Sequence, residues 1–209
     1  MNIKNLIFSM FIVVVLMINC VSVSAYTINV VTIGGVGCGK TSLLSVLSGE
    51  GFCNSGHDTT VGRGCFIFCL ENPEKEEVNI KAFDTAGRYN RSLTNNYLRE
   101  ADVVFFCIDA SNQEESMNWS LAMLKPVLCK NIFVIITKND LAREPIILDV
   151  NKIGEKFKYC GIKKCTVLST SSLTGKGIDD LKKELADIKP SDRSGGVTII
   201  QQTQNDGCC

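Results

Sequence analysis

Eight consecutive residues, Gly34-Gly35-Val36-Gly37-Cys38-Gly39-Lys40-Thr41, have the form G-x-x-x-x-G-K-T. That pattern can cradle a polyphosphate. Glycines let the backbone curl until successive N–H groups point inward at phosphate oxygens. The apolar run Thr27–Ile33 precedes the loop, and a helical pattern over Lys40–Leu47 follows it. The helix N-terminus then adds partial positive charge. In such a loop Lys40 reaches the β- and γ-phosphates, and the Thr41 hydroxyl ligates Mg²⁺. Cys38 contributes its backbone amide, and Ser42 closes the nucleotide-contacting run. A second motif, Asp84-Thr85-Ala86-Gly87, ends another apolar run. An aspartate at a strand end beside a phosphate loop can hold Mg²⁺ through water. Gly87 can offer its N–H to a γ-phosphate with no side chain in the way.

A third group suits a purine base. Thr137-Lys138-Asn139-Asp140 follows an apolar strand. A carboxylate at Asp140 can accept from both the N1–H and the 2-amino group of guanine. Adenine lacks that donor pair and would leave the carboxylate unpaired. The aliphatic stem of Lys138 can lie over the base plane. Ser171-Ser172-Leu173 follows the last strand, where a backbone N–H can meet the guanine O6.

Six apolar runs must position these loops: Thr27–Ile33, Cys65–Leu70, Val78–Phe83, Val103–Asp109, Ile132–Ile136 and Cys165–Leu168. Most are nearly continuous in Val, Ile and Phe, which predicts strands covered on both faces. Helical patterns lie at Lys40–Leu47, Leu93–Glu100, Glu114–Leu128, Asp149–Tyr159 and Ile178–Ile188. Pro126 shortens or bends the third. The alternation predicts an α/β fold, a six-stranded mainly parallel sheet with helices on both faces. The polar stretch from Glu71 to Glu77 reads as a hairpin turn between antiparallel strands.

In order and spacing, these motifs resemble the P-loop GTPases of the Ras superfamily, over about Tyr26 to Ile188. Arg91-Ser-Leu-Thr94, Ala101-Asp102 and the terminal Cys208-Cys209 resemble the Rab family. The resemblance implies GTP or GDP as ligand and Mg²⁺ as cofactor. It implies that Phe52 packs edge-on to guanine and that Thr60 binds Mg²⁺ and the γ-phosphate. The metal set would be Thr41, Thr60 and, through water, Asp84; the catalytic set would be Lys40, Thr60 and Gly87, to which the departure Arg88 adds a residue that could fold back as the chain's own arginine finger. Switch regions at Cys53–Arg63 and Gly87–Leu98 would meet exchange factors, activating proteins and effectors. His57, in the first of them, reads as a solvated loop residue rather than a catalyst.

The departures from that family are informative. Arg88-Tyr89 stands where Gln-Glu usually follows Asp-Thr-Ala-Gly. The missing Gln orients the attacking water, and a guanidinium has no acceptor with which to do so. Slow intrinsic hydrolysis is therefore expected. Val36 replaces a small residue and would crowd a partner's arginine finger. Thr137 stands where Rab proteins carry Asn, as in Rho-like proteins. Val61-Gly-Arg-Gly-Cys-Phe66 lacks the acidic residue usual before the Phe, which alters the expected effector surface.

The chain divides into residues 1–25, a GTPase domain over 26–189, and a flexible tail over 190–209. Lys4, the apolar stretch Leu6–Ile18 and small residues up to Ala25 have the grammar of a secretory signal peptide. A signal anchor or a start codon set too early gives the same pattern. The two terminal thiols could carry two prenyl chains, enough for stable anchoring. That places the protein on the cytoplasmic face of an endomembrane, in conflict with the N-terminus. The chain has 22 basic and 22 acidic residues, so nothing favours nucleic acid as a partner. Its 11 cysteines show no paired metal-ligand spacing and suit a reduced compartment. Three readings follow: a hydrolysing switch in vesicle traffic, a GTP-loaded scaffold that barely hydrolyses, and a secreted or lumenal protein.

Overall fold

The computed structural model describes residues 26–52, 64–85, 91–123, 131–142, 164–189 and 198–201. In chain order the elements are β1 (Tyr26–Ile33), α1 (Lys40–Leu47), β2 (Cys65–Glu71), β3 (Glu77–Phe83) and α2 (Arg91–Glu100). There follow β4 (Val103–Asp109), α3 (Gln113–Met123), β5 (Asn131–Thr137), β6 (Lys164–Ser169), α4 (Ile178–Ala186) and β7 (Thr198–Gln201). The strands form one sheet in the order β2-β3-β1-β4-β5-β6-β7. The β2–β3 pair is antiparallel and every other pair is parallel.

The six expected strands are all present, each within a residue or two of its expected bounds. The short seventh, β7, comes from the stretch expected to be without structure and pairs with β6. Helix α1 spans the expected residues, and α2 starts two residues earlier than expected. The helix expected at Asp149–Tyr159, the end of the third helix beyond Met123, and Pro126 lie outside the described residues.

Alternation along the central strands explains the layers. Ile28 and Val30 of β1, with Val103, Phe105 and Cys107 of β4, join a core under α1 and α4. That core includes Leu43, Leu44, Leu47, Ile178, Leu181 and Leu185. Val31, Ile33, Val104, Phe106 and Ile108 face the opposite way, against Leu98 of α2 and Met117 and Leu121 of α3. Each fully buried side chain of this size contributes about 1.5–3 kcal/mol of transfer free energy. Phe105 and Phe133 stack at 5.8 Å between centroids inside the first core.

One expectation fails at the edge. Continuous apolarity predicts cover on both faces, yet β2 alternates. Phe66 and Phe68 are buried while Cys65, Ile67 and Cys69 are exposed. β2 is an edge strand, covered on one face alone. Its hairpin with β3 turns as expected. Buried Asn72 makes the turn: its Oδ1 accepts from the Glu76 amide at 2.8 Å, and its Nδ2 donates to the Glu76 carboxylate at 3.0 Å.

The chain leaves β1 between β3 on one side and β4 on the other. Loops at the carboxyl ends of such strands diverge there and open a crevice, the usual place for a ligand in an open parallel sheet. The expected motifs all follow carboxyl ends of strands: Gly34–Thr41 after β1, Asp84 after β3, Lys138–Asp140 after β5 and Ser171–Leu173 after β6.

Candidate guanine-nucleotide site

The loop after β1 curls around its own lysine. Gly37 and Gly39 adopt positive φ, 73° and 86°, the left-handed region that glycine enters without strain. A Cβ on Gly34 would lie 2.6 Å from the Cys38 thiol and 2.8 Å from the Cys107 carbonyl, so that position has no room for one. Lys40 is buried, and its ammonium donates to the carbonyls of Gly34 (3.0 Å) and Gly35 (2.7 Å). It also lies 3.6 Å from Cys38 Sγ. Burial pushes the Cys38 thiol up, and the nearby Lys40 offsets only part of that. A neutral thiol leaves the ammonium as the loop's charge.

Thr41 and Asp84 meet at the head of α1. The Thr41 hydroxyl donates to Asp84 Oδ2 at 2.6 Å. Thr32, buried in β1, places its hydroxyl 3.4 Å from Asp84 Oδ1 and 3.3 Å from the Phe83 carbonyl. That hydroxyl accepts from the Thr85 amide (3.3 Å), and the Thr85 hydroxyl donates to the Thr32 carbonyl (2.6 Å). Burial raises the Asp84 carboxyl, against the lowering effect of Thr41, Lys40 and Thr32. A buried carboxylate beside a hydroxyl is a hard-oxygen donor pair, and its desolvation is relieved by a cation; the pair fits Mg²⁺. Thr60, Gly87, Arg88 and His57 lie outside the described residues.

The second half of the site is tied to the first. Thr137 Oγ1 lies 2.6 Å from the Cys38 carbonyl and 3.0 Å from the Ile108 carbonyl, so β5 grips the phosphate loop directly. Gly39 approaches the same threonine: a Cβ there would sit 3.6 Å from Thr137 Cβ and 3.9 Å from Lys138 Cε. Lys138 takes a left-handed backbone (φ 56°) and opens a short 3₁₀ turn, Asn139–Leu141. The Asn139 amide donates to the Thr170 carbonyl at 3.0 Å. The Ser171 hydroxyl donates to Asp140 Oδ1 and accepts from the Thr174 amide at 3.1 Å. Asp140 and the Ser171–Leu173 loop therefore belong to one constellation, although 31 residues of chain separate the bonded pair.

Several exposed apolar residues belong to these loops. Among the described residues, the large hydrophobics on the surface are Val36, Phe52, Ile67, Leu141 and Leu173. Val36, Leu141 and Leu173 lie in or beside the motif loops, and Phe52 follows the end of α1. Leu173, in the loop that meets Asp140, is 60% exposed, and Phe52, after α1, is 41% exposed.

Sequence reasoning missed two participants. Asp109, the last residue of β4, forms an ion pair with Lys138 at 2.6 Å. Its only sequence signal is an acidic residue closing an apolar strand. Thr32 is the other, a polar residue inside an apolar strand. The cysteines among the described residues, Cys38, Cys65, Cys69, Cys107 and Cys165, are free thiols. No helix among these residues is long and apolar enough to cross a membrane.

Comparison with known proteins agrees with this geometry. Residues 29–140 match the family described as Roc, the Ras of Complex domain of DAPkinase. The chain is 26% identical over 189 residues to Ras-related protein Rab-12 of Rattus norvegicus, covering 84% of this chain and 76% of that one. It is 28% identical over 167 residues to GTP-binding protein rho2 of Schizosaccharomyces pombe, covering 72% and 81%. It is also 27% identical over 190 residues to the tRNA modification GTPase MnmE of Buchnera aphidicola, covering 83% of this chain and 38% of that one. With the Roc match spanning more than half of its length, the chain belongs to the Ras-like GTPases, as a divergent member of that superfamily resembling Rab.

Proposed function

We propose that this protein binds GTP and GDP with Mg²⁺ and hydrolyses GTP slowly, as a membrane-associated switch in vesicle traffic. The observation that carries the nucleotide reading is the Thr137 bridge. It joins a lysine-bearing phosphate loop to a turn that presents Asp140 beside Ser171. One end offers a buried ammonium on a glycine-rich loop, a backbone that can turn amides toward phosphates. The other offers a carboxylate that prefers the N1–H and 2-amino group of guanine. When bound, Mg²⁺ supplies charge neutralisation at the phosphate oxygens, held by Thr41, by Asp84 through water, and by Thr60. Lys40 balances the phosphate charge, and Gly87 offers its amide to the γ-phosphate. Phe52, Lys138 and Leu173 cover the base.

Two residues favour slow turnover. Arg88 has no acceptor for the attacking water. Val36 projects from the phosphate loop, 53% exposed, where it would crowd an arginine supplied by an activating protein. Likeness to Rab-12 and the Cys208-Cys209 ending support a prenylated protein on the cytoplasmic face of an endomembrane, met by exchange factors and effectors at the switches. The intact mass of the mature protein tests this, since it reads both N-terminal cleavage and prenyl groups. A start at Tyr26 without lipid would contradict the cytosolic reading.

A second reading, a GTP-loaded scaffold, rests on the same Arg88. Single-turnover hydrolysis separates the two: slow but measurable turnover by wild type supports the switch, and none supports the scaffold. Wild type is expected to hydrolyse slowly and Arg88→Gln faster by an order of magnitude or more. A wild-type rate that is already ordinary, and unmoved by the substitution, contradicts both the slow switch and the scaffold.

A further inference from the structure

We infer that Asp109 is a positioning residue that holds Lys138 across the base site and so sets how long a guanine nucleotide stays bound. The inference rests on the nucleotide reading above. Parallel pairing aligns Asp109, at the end of β4, with Thr137, at the end of β5. Lys138 is the next residue, and its Nζ lies 2.6 Å from Asp109 Oδ2.

The carboxylate is itself fixed. Its Oδ1 accepts from the Ser111 amide at 2.9 Å and from the Ser111 hydroxyl at 2.6 Å. The Asp109 amide donates to Ser116 Oγ at 2.9 Å. Oδ2 is thereby aimed at Lys138 from a group that cannot rotate freely. Burial raises the Asp109 carboxyl, but Lys138 and Ser111 outweigh it and hold the group below the usual carboxylate range. It is ionised at neutral pH.

The lysine stem passes the phosphate loop, with Cε 3.9 Å from where a Cβ on Gly39 would sit. Its charged end is tied to Asp109 and its backbone to the 3₁₀ turn, whose Leu141 amide donates to the Lys138 carbonyl at 2.8 Å. A free lysine loses rotamer freedom when a base lands on its stem. Here that freedom is already lost before the ligand arrives, which is preorganisation and favours retention. The plain alternative is a partly exposed ion pair of little consequence.

The test is GDP release from the full chain for wild type, Asp109→Asn, Lys138→Met and the double variant. Asp109→Asn keeps the size of the side chain and removes its charge. Each single variant should speed release by about tenfold, and the double variant should be no faster than Lys138→Met alone, since both remove one coupled device. Chelation of Mg²⁺ by EDTA should speed release by the same factor in Asp109→Asn as in wild type, because the phosphate end is untouched. Three results would overturn the inference: release from Asp109→Asn at the wild-type rate, full multiplication of the two single effects, or a changed response to EDTA. A wild type that binds no GDP would overturn the nucleotide reading instead.

Discussion

In the proposed site one carboxylate, Asp140, would separate guanine from adenine. The Ser171 hydroxyl donates to its Oδ1, which orients the group and leaves its other oxygen for a ligand donor. Asp140→Asn replaces an acceptor by an amide, and GDP affinity should fall by about 10²-fold or more. A calorimetric titration checks this, and the melting temperature should stay near that of wild type. Asp109 makes a different prediction. Its folded pKa is held below the ordinary value of 3.8. Its contribution to stability is therefore present above that value and is lost as pH falls through the folded one. The stability gap between wild type and Asp109→Asn, from urea melts, should be flat near neutrality and close below about pH 4. It should also be small, about 1 kcal/mol or less, because the Lys138 partner is partly exposed. A gap that widens in acid contradicts the ion pair. Neither Asp109 nor Thr32 was legible beforehand. Asp109 meets its partner across 29 residues and Thr32 meets Asp84 across 52. Only strand pairing creates those contacts. Lys40, Thr41, Asp84 and Asp140 were legible because local chemistry constrains runs of consecutive residues.

Among the elements, the turn from β6 into α4 is tightly constrained in its backbone. Gly177 precedes α4 with φ 72°, and a Cβ there would lie 2.1 Å from the Ser169 carbonyl. Gly177→Ala combines a left-handed L-residue, which costs about 1–2 kcal/mol, with a clash against backbone. The loss should exceed that figure in a denaturant melt. GDP affinity should fall as well, because the same turn holds the Ser171 amide on the Lys176 carbonyl at 2.9 Å. A variant as stable as wild type would mean that the turn relaxes freely. Helix α1 and the central strands were legible from apolar spacing. The exposed face of β2 was not, because Cys65, Ile67 and Cys69 count as apolar in a sequence and nothing in the run Cys65–Leu70 marks one face as open. β7 lay hidden for the opposite reason: its neighbours are polar and glycine-containing, although Ile199 and Ile200 fall within it.

For the whole molecule, the sheet carries a separate apolar core on each face, and the motif loops hang from the carboxyl ends of its strands. Leu181 is fully buried in the α1–α4 core and is itself part of no motif loop. Leu181→Ala should cost about 2–5 kcal/mol in a urea melt yet leave GDP affinity of the folded protein unchanged. Coupled losses would mean that core and site are less separate than the layers imply. The crevice is expected to select guanine nucleotides. The direct measurement is a calorimetric titration of the purified chain with GDP and, in parallel, with ADP, both with Mg²⁺ present. Tight binding of GDP is expected, with none, or binding weaker by about 10²-fold or more, of ADP. Equal binding of the two, or binding of neither, would contradict this expectation.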